Sequence, residues 1–132
     1  MMKVLVVDDE PLVRQLVMHC INWHEYDLEV IGQAESAESG MMLIEEATPD
    51  VVITDIMMPA VDGLEFTAMI KQKYPKVRVI LISGYDDYEY AIKGIRLGVF
   101  DYILKPIDRE VLAKVAVRVR EDIMQERMLR ES

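Results

Sequence analysis

Short apolar runs rich in Val, Ile and Leu recur along the chain at regular intervals. They cover residues 4–7, 29–34, 51–54, 77–82 and 100–104. Three of these runs are nearly continuous rather than alternating, which is typical of strands buried on both faces of a parallel sheet. The pattern therefore predicts five short β-strands.

Between these runs, apolar residues recur three and four positions apart, as they do on the buried stripe of an amphipathic helix. The clearest stripe comprises Leu12, Val13, Leu16, Val17, Cys20 and Ile21. The other helical segments are 36–47, 63–73, 86–97 and a long segment that starts at Asp108. Strict alternation of strand and helix predicts an α/β fold, (βα)5, in which helices cover both faces of a parallel sheet.

Composition narrows the class of protein. A chain of 132 residues fits a single domain, and its net charge of -9 argues against direct binding of nucleic acid or an anionic membrane by this segment. Cys20 is the only cysteine, so an internal disulfide is excluded and a reducing compartment is favoured. No apolar run approaches the ~20 residues of a membrane helix, and the start turns acidic too early for a signal peptide. These features favour a cytoplasmic protein.

Polar side chains stand where four of the predicted strands end. They are Asp8 and Asp9 after the first strand, Asp55 at the third, Ser83 at the fourth and Lys105 at the fifth. In an open α/β sheet, ligands bind beyond these carboxyl ends. Adjacent carboxylates disfavour each other's ionised forms unless a cation lies between them. The set therefore predicts an oxygen-lined site for a hard divalent cation, Mg²⁺ by default, with room for an anion beside it.

Four motifs carry a resemblance to a known family. DDE follows the first strand, DIMMPAVDG the third and SG the fourth, and YILKP closes the fifth. In this order, the motifs resemble the receiver domain of two-component response regulators over roughly residues 3–121. The resemblance implies a flavodoxin-like, doubly wound, five-stranded parallel sheet of order 2-1-3-4-5. It also implies a receiver domain at 1–121, with residues 122–132 extending the last helix toward a linker or output module.

The resemblance assigns a role to each site residue. It implies that Asp55 accepts a phosphoryl group from a sensor histidine kinase, that Lys105 pairs with the phosphoryl oxygens, and that Ser83 hydrogen-bonds one of them. The ligands of Mg²⁺, or of Mn²⁺ in its place, would be Asp8, Asp9, Asp55 and the backbone carbonyl of Met57. Glu10 is left out of this set and interpreted as a favourable acid in a first helical turn.

The resemblance also implies a cis peptide bond between Lys105 and Pro106 and a switch at Tyr102. In that switch, Ser83 moves toward the phosphoryl group and Tyr102 turns into the vacated space. The surface of the fourth helix, fifth strand and fifth helix changes as a result. The alternative is that Tyr102 is an ordinary packing residue of its strand.

Two variable positions near the site bear on how long a phosphoryl group would last. Met57 lies two residues after Asp55, and Tyr85 lies two residues after Ser83. Family members that dephosphorylate quickly often carry polar side chains there, which orient the attacking water. A thioether and a bulky ring are expected to exclude that water and lengthen the lifetime.

The output is less constrained by the sequence. Trp23, the stretch YDDYEY and the ending LKPID resemble receivers joined to an AraC-type DNA-binding module, yet nothing in this chain resembles that module. DNA would then be bound through an output domain absent here. Homodimerisation on phosphorylation is expected, and the long last helix is either a signalling helix or dimer seam, or a frayed end.

Three other functions compete with a phosphorylation switch. A phosphohydrolase of the haloacid-dehalogenase type needs an acid two residues after its nucleophile, where this chain has Met57. A phosphorylation-independent pseudo-receiver typically loses an acid or the lysine, and this chain keeps them. A flavodoxin-like nucleotide binder needs a glycine-rich loop after the first strand, which is missing. The leading interpretation is a switch that assists its own phosphorylation and dephosphorylation and is not a separate enzyme.

Overall fold

Five strands form one sheet in the computed structural model of the protein, which describes residues 1–84 and 88–131. The strands are β1 Met2–Val7, β2 Leu28–Ala34, β3 Val51–Asp55, β4 Arg78–Ser83 and β5 Asp101–Leu104. Their order is β2-β1-β3-β4-β5, and every neighbouring pair is parallel. The predicted doubly wound sheet of order 2-1-3-4-5 is confirmed.

Helices connect successive strands. The described residues form α1 Pro11–His19, α2 Ala37–Ala47, α3 Gly63–Lys73, α4 Tyr88–Leu97 and α5 Arg109–Glu131, with a short 3₁₀ turn at Trp23–Tyr26. Side chains fix several helix starts: Asp62 Oδ1 accepts the Glu65 N–H at 2.9 Å, and Asp108 Oδ1 accepts the Glu110 N–H at 2.7 Å. The helix predicted from residue 86 is described from Tyr88 onward. No described helix is long and apolar enough to cross a membrane.

The sheet is buried on both faces, which explains its nearly continuous apolar strands. Along β1, Val4 and Val6 belong to one core, which α1 and α5 complete. Leu5 and Val7 belong to a second core on the opposite face, which α2, α3 and α4 complete. Successive strand residues point to opposite faces, so positions 4–7 of β1, which are buried between the two cores, have to be apolar. The polar residues that follow the strands therefore stand out at the sheet's carboxyl edge.

The last helix remains attached to the sheet beyond residue 121. Ile123 is buried in the first core. Asp122 pairs with Arg78 at 3.0 Å, and Arg127 pairs with Asp50 at 2.7 Å. Arg78 and Asp50 lie at the amino ends of β4 and β3, so these ion pairs hold α5 to the edge opposite the predicted site. The domain boundary between residues 121 and 122 stays a prediction, and α5 runs through it without a break.

Candidate acidic site at the carboxyl ends of the strands

A cluster of carboxylates lies at the carboxyl edge of the sheet. Asp55 is the last residue of β3, and the loop that follows the adjacent strand β1 carries Asp8, Asp9 and Glu10. Each of these four residues offers a carboxylate oxygen within 4.8 Å of the others'. The carboxyl edge of the sheet therefore brings together residues that are almost fifty positions apart in the sequence.

Lys105 supplies the positive charge of the cluster. It follows β5, and its Nζ donates a hydrogen bond to Asp55 Oδ2 at 3.0 Å. Its backbone N–H donates to the carbonyl oxygen of Ser83 at 2.8 Å, and the peptide bond between Lys105 and Pro106 is cis. Burial alone would lower the pKa of this ammonium, but the hydrogen bond and charge of Asp55 outweigh it, so the pKa of Lys105 is raised.

Asp55 is a buried carboxylate, only 2% exposed. Burial raises its pKa, while the hydrogen bond and charge of Lys105 oppose that effect without cancelling it. The backbone N–H of Met57 donates to Asp55 Oδ1 at 3.3 Å. Both carboxylate oxygens are thus held in place, one by an ammonium and one by the backbone. Such a group is oriented toward the edge of the sheet and remains able to act as an oxygen nucleophile.

Asp8 is fully buried next to these charges. Burial is the main cause that raises its pKa to about 7; the Glu10 backbone hydrogen bond opposes the rise and the charge of Asp55 adds to it. Its Oδ1 accepts the Glu10 N–H at 2.8 Å, while its Oδ2 is buried without a hydrogen-bond partner among the described residues. An unpaired buried carboxylate oxygen beside other carboxylates fits a divalent cation, because carboxylate oxygens are the ligands that Mg²⁺ prefers.

Ser83 lies at the end of β4 and carries a second unpaired polar atom. Its hydroxyl oxygen is buried and has no hydrogen-bond partner within residues 1–84 and 88–131. Buried hydroxyls are rarely left unpaired. The orphaned hydroxyl on β4, close to the backbone of Lys105, is therefore free to bond an oxygen that arrives at this edge.

The remaining site residues lie around this centre. Met57 has a half-exposed side chain, 51% accessible, on the loop after β3. Tyr102 is half-buried on β5 and packs against the second core. Tyr85 lies outside the described residues.

The interpretation of Glu10 as an acid of the first helical turn is wrong. The helix α1 begins at Pro11, no acid lies in its first turn, and the Glu10 side chain makes no capping hydrogen bond. Its carboxylate instead lies 3.7 Å from the Lys105 Nζ. The one sequence signal that pointed to this position was its place directly after Asp8 and Asp9 on the same loop.

Gly63 is a second residue whose part in the site the sequence did not reveal. The sequence pattern places Gly63 only at the start of α3. In the structure, its backbone N–H also donates to the Ile56 carbonyl at 2.6 Å. A Cβ added to Gly63 would lie 2.2 Å from the carbonyl oxygen of Asp55 and 2.7 Å from the Ile56 Cα. Gly63 therefore lets α3 begin in direct contact with the backbone that carries the central carboxylate.

The comparisons with known proteins agree with this geometry. Residues 4–117 match the family described as the response regulator receiver domain. The chain is 37% identical over 122 residues to the transcriptional regulatory protein BtsR of Escherichia coli K12, which covers 92% of this chain and 49% of that protein. The chain thus spans about half the length of the curated relatives it matches.

Solved structures of similar sequence share the whole fold. The receiver domain of AraT, a response regulator from Geobacillus stearothermophilus, has a TM-score of 0.91 and is 39% identical, with 96% of this chain and 98% of that chain covered. A two component transcriptional regulator AraC from Clostridium phytofermentans has a TM-score of 0.89 and is 31% identical, with the same coverage. Both likenesses extend over the full sheet and its helices.

Proposed function

The chain belongs to the response regulator receiver domain family of two-component signalling proteins, and on that premise we propose that it is a switch phosphorylated on Asp55 by a sensor histidine kinase. The observation that supports this proposal most strongly is the set of groups around Asp55. The buried carboxylate lies 3.0 Å from the ammonium of Lys105, at the edge where Ser83 and Asp8 each have a buried oxygen with no hydrogen-bond partner among the described residues. Together these groups fit a phosphoryl group and its counter-charge.

The transfer is a displacement at phosphorus. A carboxylate oxygen of Asp55 forms the new P–O bond as the P–N bond of the kinase's phosphohistidine breaks, and the histidine, which is protonated on its other ring nitrogen, leaves as the neutral imidazole. Such reactions depend on position and charge neutralisation more than on covalent machinery. Lys105 exchanges its bond to the Asp55 carboxylate for one to a phosphoryl oxygen, and the Ser83 hydroxyl donates to another.

Receiver domains bind Mg²⁺ through an acidic pocket, and this chain has such a cluster. Asp8, Asp9, Asp55 and the backbone carbonyl of Met57 are the groups that would hold Mg²⁺, or Mn²⁺. When bound, the ion offsets the charge of the carboxylates and of the phosphoryl oxygens. Asp8 Oδ2 has no hydrogen-bond partner within the described part of the chain, which supports this assignment because an unpaired buried carboxylate oxygen costs free energy.

Labelling with a small phosphodonor tests the proposed function. Incubation with acetyl phosphate and Mg²⁺ should add the mass of one phosphoryl group to the wild-type protein. The Asp55→Asn variant should gain none, because an amide is not a nucleophile for this transfer, and chelation of Mg²⁺ should strongly reduce labelling of the wild type. Intact-mass spectrometry is the measurement. Equal labelling of both proteins would refute the assignment, and sustained release of phosphate with many turnovers would favour the phosphohydrolase.

We further propose that Tyr102 couples the site to the surface. Its ring is half-buried on β5, next to the strand that ends in Ser83, so displacement of Ser83 toward a phosphoryl group would give it room to turn inward. The Tyr102→Ala variant should still be labelled on Asp55, but phosphorylation-dependent dimerisation should be weakened by roughly tenfold or more. Gel filtration or sedimentation of labelled protein measures this. Unchanged dimerisation would assign Tyr102 to packing alone.

A long phosphoryl lifetime is the third element of the proposal. Met57 is half-exposed beside Asp55, and a thioether neither orients nor activates an attacking water. Replacing Met57 with Asn and Tyr85 with Glu together should speed the decay of the phosphorylated protein by roughly tenfold. The loss of the phosphoryl mass over time in Mg²⁺ buffer measures the rate. Equal decay in the wild type and the double variant would eliminate this role.

We propose that the output is provided by a further module. Since the chain spans about half of its curated relatives, we propose that a following module, of AraC type, controls transcription by binding DNA in the cytoplasm. On this proposal, residues 1–121 are the receiver and residues 122–132 extend α5 toward that module. The ion pairs of Asp122 and Arg127 would then fix the direction in which the chain leaves the sheet.

A further inference from the structure

Glu10 is the one carboxylate of the cluster that the proposed function leaves without a role. Its side chain makes no capping hydrogen bond, and its Oε1 lies 3.7 Å from the Nζ of Lys105. Lys105 donates to Asp55 Oδ2 at 3.0 Å, so one ammonium stands between the reactive carboxylate and Glu10. Within the described part of the chain, Lys105 is the only cation with which Glu10 forms an ion pair.

Glu10 differs from the neighbouring carboxylates in its exposure to solvent. Asp8 is fully buried and Asp55 is 2% exposed, whereas the Glu10 side chain is 62% exposed. An exposed carboxylate within 4.8 Å of two buried ones lies on their solvent side. A phosphodonor that approaches Asp55 from the solvent therefore passes the negative charge of Glu10, whose carboxylate lies 3.7 Å from the Lys105 Nζ.

We propose that Glu10 determines phosphodonor specificity: its charge at the mouth of the site disfavours the more anionic acyl phosphates relative to nitrogen-linked phosphoryl donors. The inference rests on the proposed phosphoacceptor role of Asp55. Like charges repel each other during approach, and a charge at the mouth of a cleft changes the encounter rate of charged ligands. Phosphohistidine belongs to the favoured class when its imidazole ring is protonated, because the positive charge of the ring lowers the net negative charge of the donor.

Two small donors represent the two classes. In acetyl phosphate the P–O bond to the acyl oxygen breaks and acetate leaves, while in phosphoramidate the P–N bond breaks and ammonia leaves. In both reactions the new bond is formed by a carboxylate oxygen of Asp55. Near neutral pH, acetyl phosphate carries one more negative charge than phosphoramidate, whose nitrogen is protonated. The donors thus differ in charge while the acceptor and the bond formed are the same.

The expected size of the change in donor preference follows from the difference in charge between the two donors. Two unit charges about 7 Å apart in water change an encounter equilibrium by roughly two- to threefold. Removal of the Glu10 charge should therefore raise the rate constant for acetyl phosphate, relative to that for phosphoramidate, by about two- to threefold. Reversal of the charge should raise the same ratio by about four- to ninefold, and added salt should diminish both effects.

The experiment measures labelling rate constants with each donor at low ionic strength and saturating Mg²⁺. The proteins are wild type, Glu10→Gln, Glu10→Lys and the control Glu121→Gln. Glu121 is 65% exposed, almost the same as Glu10, and its neighbour Asp122 pairs with the amino end of β4, opposite the site. The control therefore removes the same charge from the same chain at a distance from Asp55. Its donor ratio should equal that of the wild type.

The ratio of the two rate constants isolates specificity from other effects. An effect on the reactivity of Asp55 itself acts on both donors alike, because Asp55 is the acceptor in each case, and saturating Mg²⁺ keeps the metal charge the same in all four proteins. A stepwise rise of the ratio from Glu to Gln to Lys supports the inference. A ratio that is the same in all four proteins overturns it while leaving the role of Asp55 intact. Failure of the wild type to be labelled by either donor would overturn the proposed function, and the inference with it.

Discussion

The Gly63→Ala variant is expected to be strongly destabilised. The added Cβ would lie 2.2 Å from the Asp55 carbonyl oxygen and 2.7 Å from the Ile56 Cα. Both neighbours are backbone atoms of the strand and loop around Asp55, so neither moves cheaply. We expect the free energy of unfolding to fall by about 2–4 kcal/mol. Phosphorylation of Asp55 should slow by roughly tenfold or more, because displacement of a reacting group costs rate steeply.

The matched control for this prediction is Gly32→Ala. A Cβ at Gly32 on β2 would meet only two leucine side-chain atoms, each at 3.8 Å, which is ordinary van der Waals contact. The same methyl should therefore be neutral or slightly stabilising there. Urea denaturation gives the two free energies, and the labelling rate gives the effect on the site. Equal stability of the two variants would contradict the tight packing of α3 on the backbone of Asp55.

The Asp8→Asn variant is expected to be more stable than the wild type in Mg²⁺-free buffer at pH 8. Burial and neighbouring charge raise the pKa of Asp8 from 3.8 to about 7 in the folded protein. The folded state therefore binds a proton more tightly than the unfolded state does, and wild-type stability falls as the pH rises from about 4 to about 7. An amide does not ionise, so the variant should gain on the order of 2–4 kcal/mol at pH 8.

Thermal unfolding across this pH range measures the effect with and without Mg²⁺. The variant should show a flatter profile, with a residual slope from Asp55, whose pKa burial also raises. Mg²⁺ should stabilise the wild type and have less effect on the variant, because a ligand stabilises only the state that binds it. The control is Asp9→Asn, which removes an exposed carboxylate from the same loop and should change stability less. Parallel profiles for wild type and Asp8→Asn would contradict the account.

The fold was predictable from the sequence because one rule of burial repeats along the chain. A strand buried on both faces has to be apolar at every position, and β1 with Val4 to Val7 follows this rule. Alternation with helices then leaves few topologies. The strand order, by contrast, came from the resemblance, since periodicity does not say which strands are neighbours.

The candidate site was predictable where it depends on topology. Asp8, Asp55, Ser83 and Lys105 follow different strands, and parallel strands bring their carboxyl ends to one edge. The structure adds what depends on local geometry. Whether the Glu10 side chain caps the helix or turns to Lys105 depends on the loop, where the Glu10 N–H donates to Asp8 Oδ1, and on the distant residue Lys105, which local sequence does not place.

Long-range contacts of α5 were likewise invisible in the sequence. The helical spacing predicted that the helix continues, yet it did not say whether the final turns are docked or free. Arg78 and Asp122 are 44 positions apart, and their pairing follows from the crossover of α5 over the sheet. Charged residues on a solvent-facing helix have many possible partners, so composition alone does not select one.

The most direct test of the central claim is to map the phosphorylated residue. Treatment of the acetyl phosphate-labelled protein with borohydride reduces an acyl phosphate to the alcohol, which converts a phosphorylated aspartate into homoserine at the same position. Peptide mass spectrometry should then find homoserine at position 55 in samples that received Mg²⁺ and donor, and unmodified Asp8 and Asp9. Homoserine at Asp8 or Asp9 with an unchanged Asp55, or none at any position, would contradict the assignment of Asp55 as the phosphoacceptor.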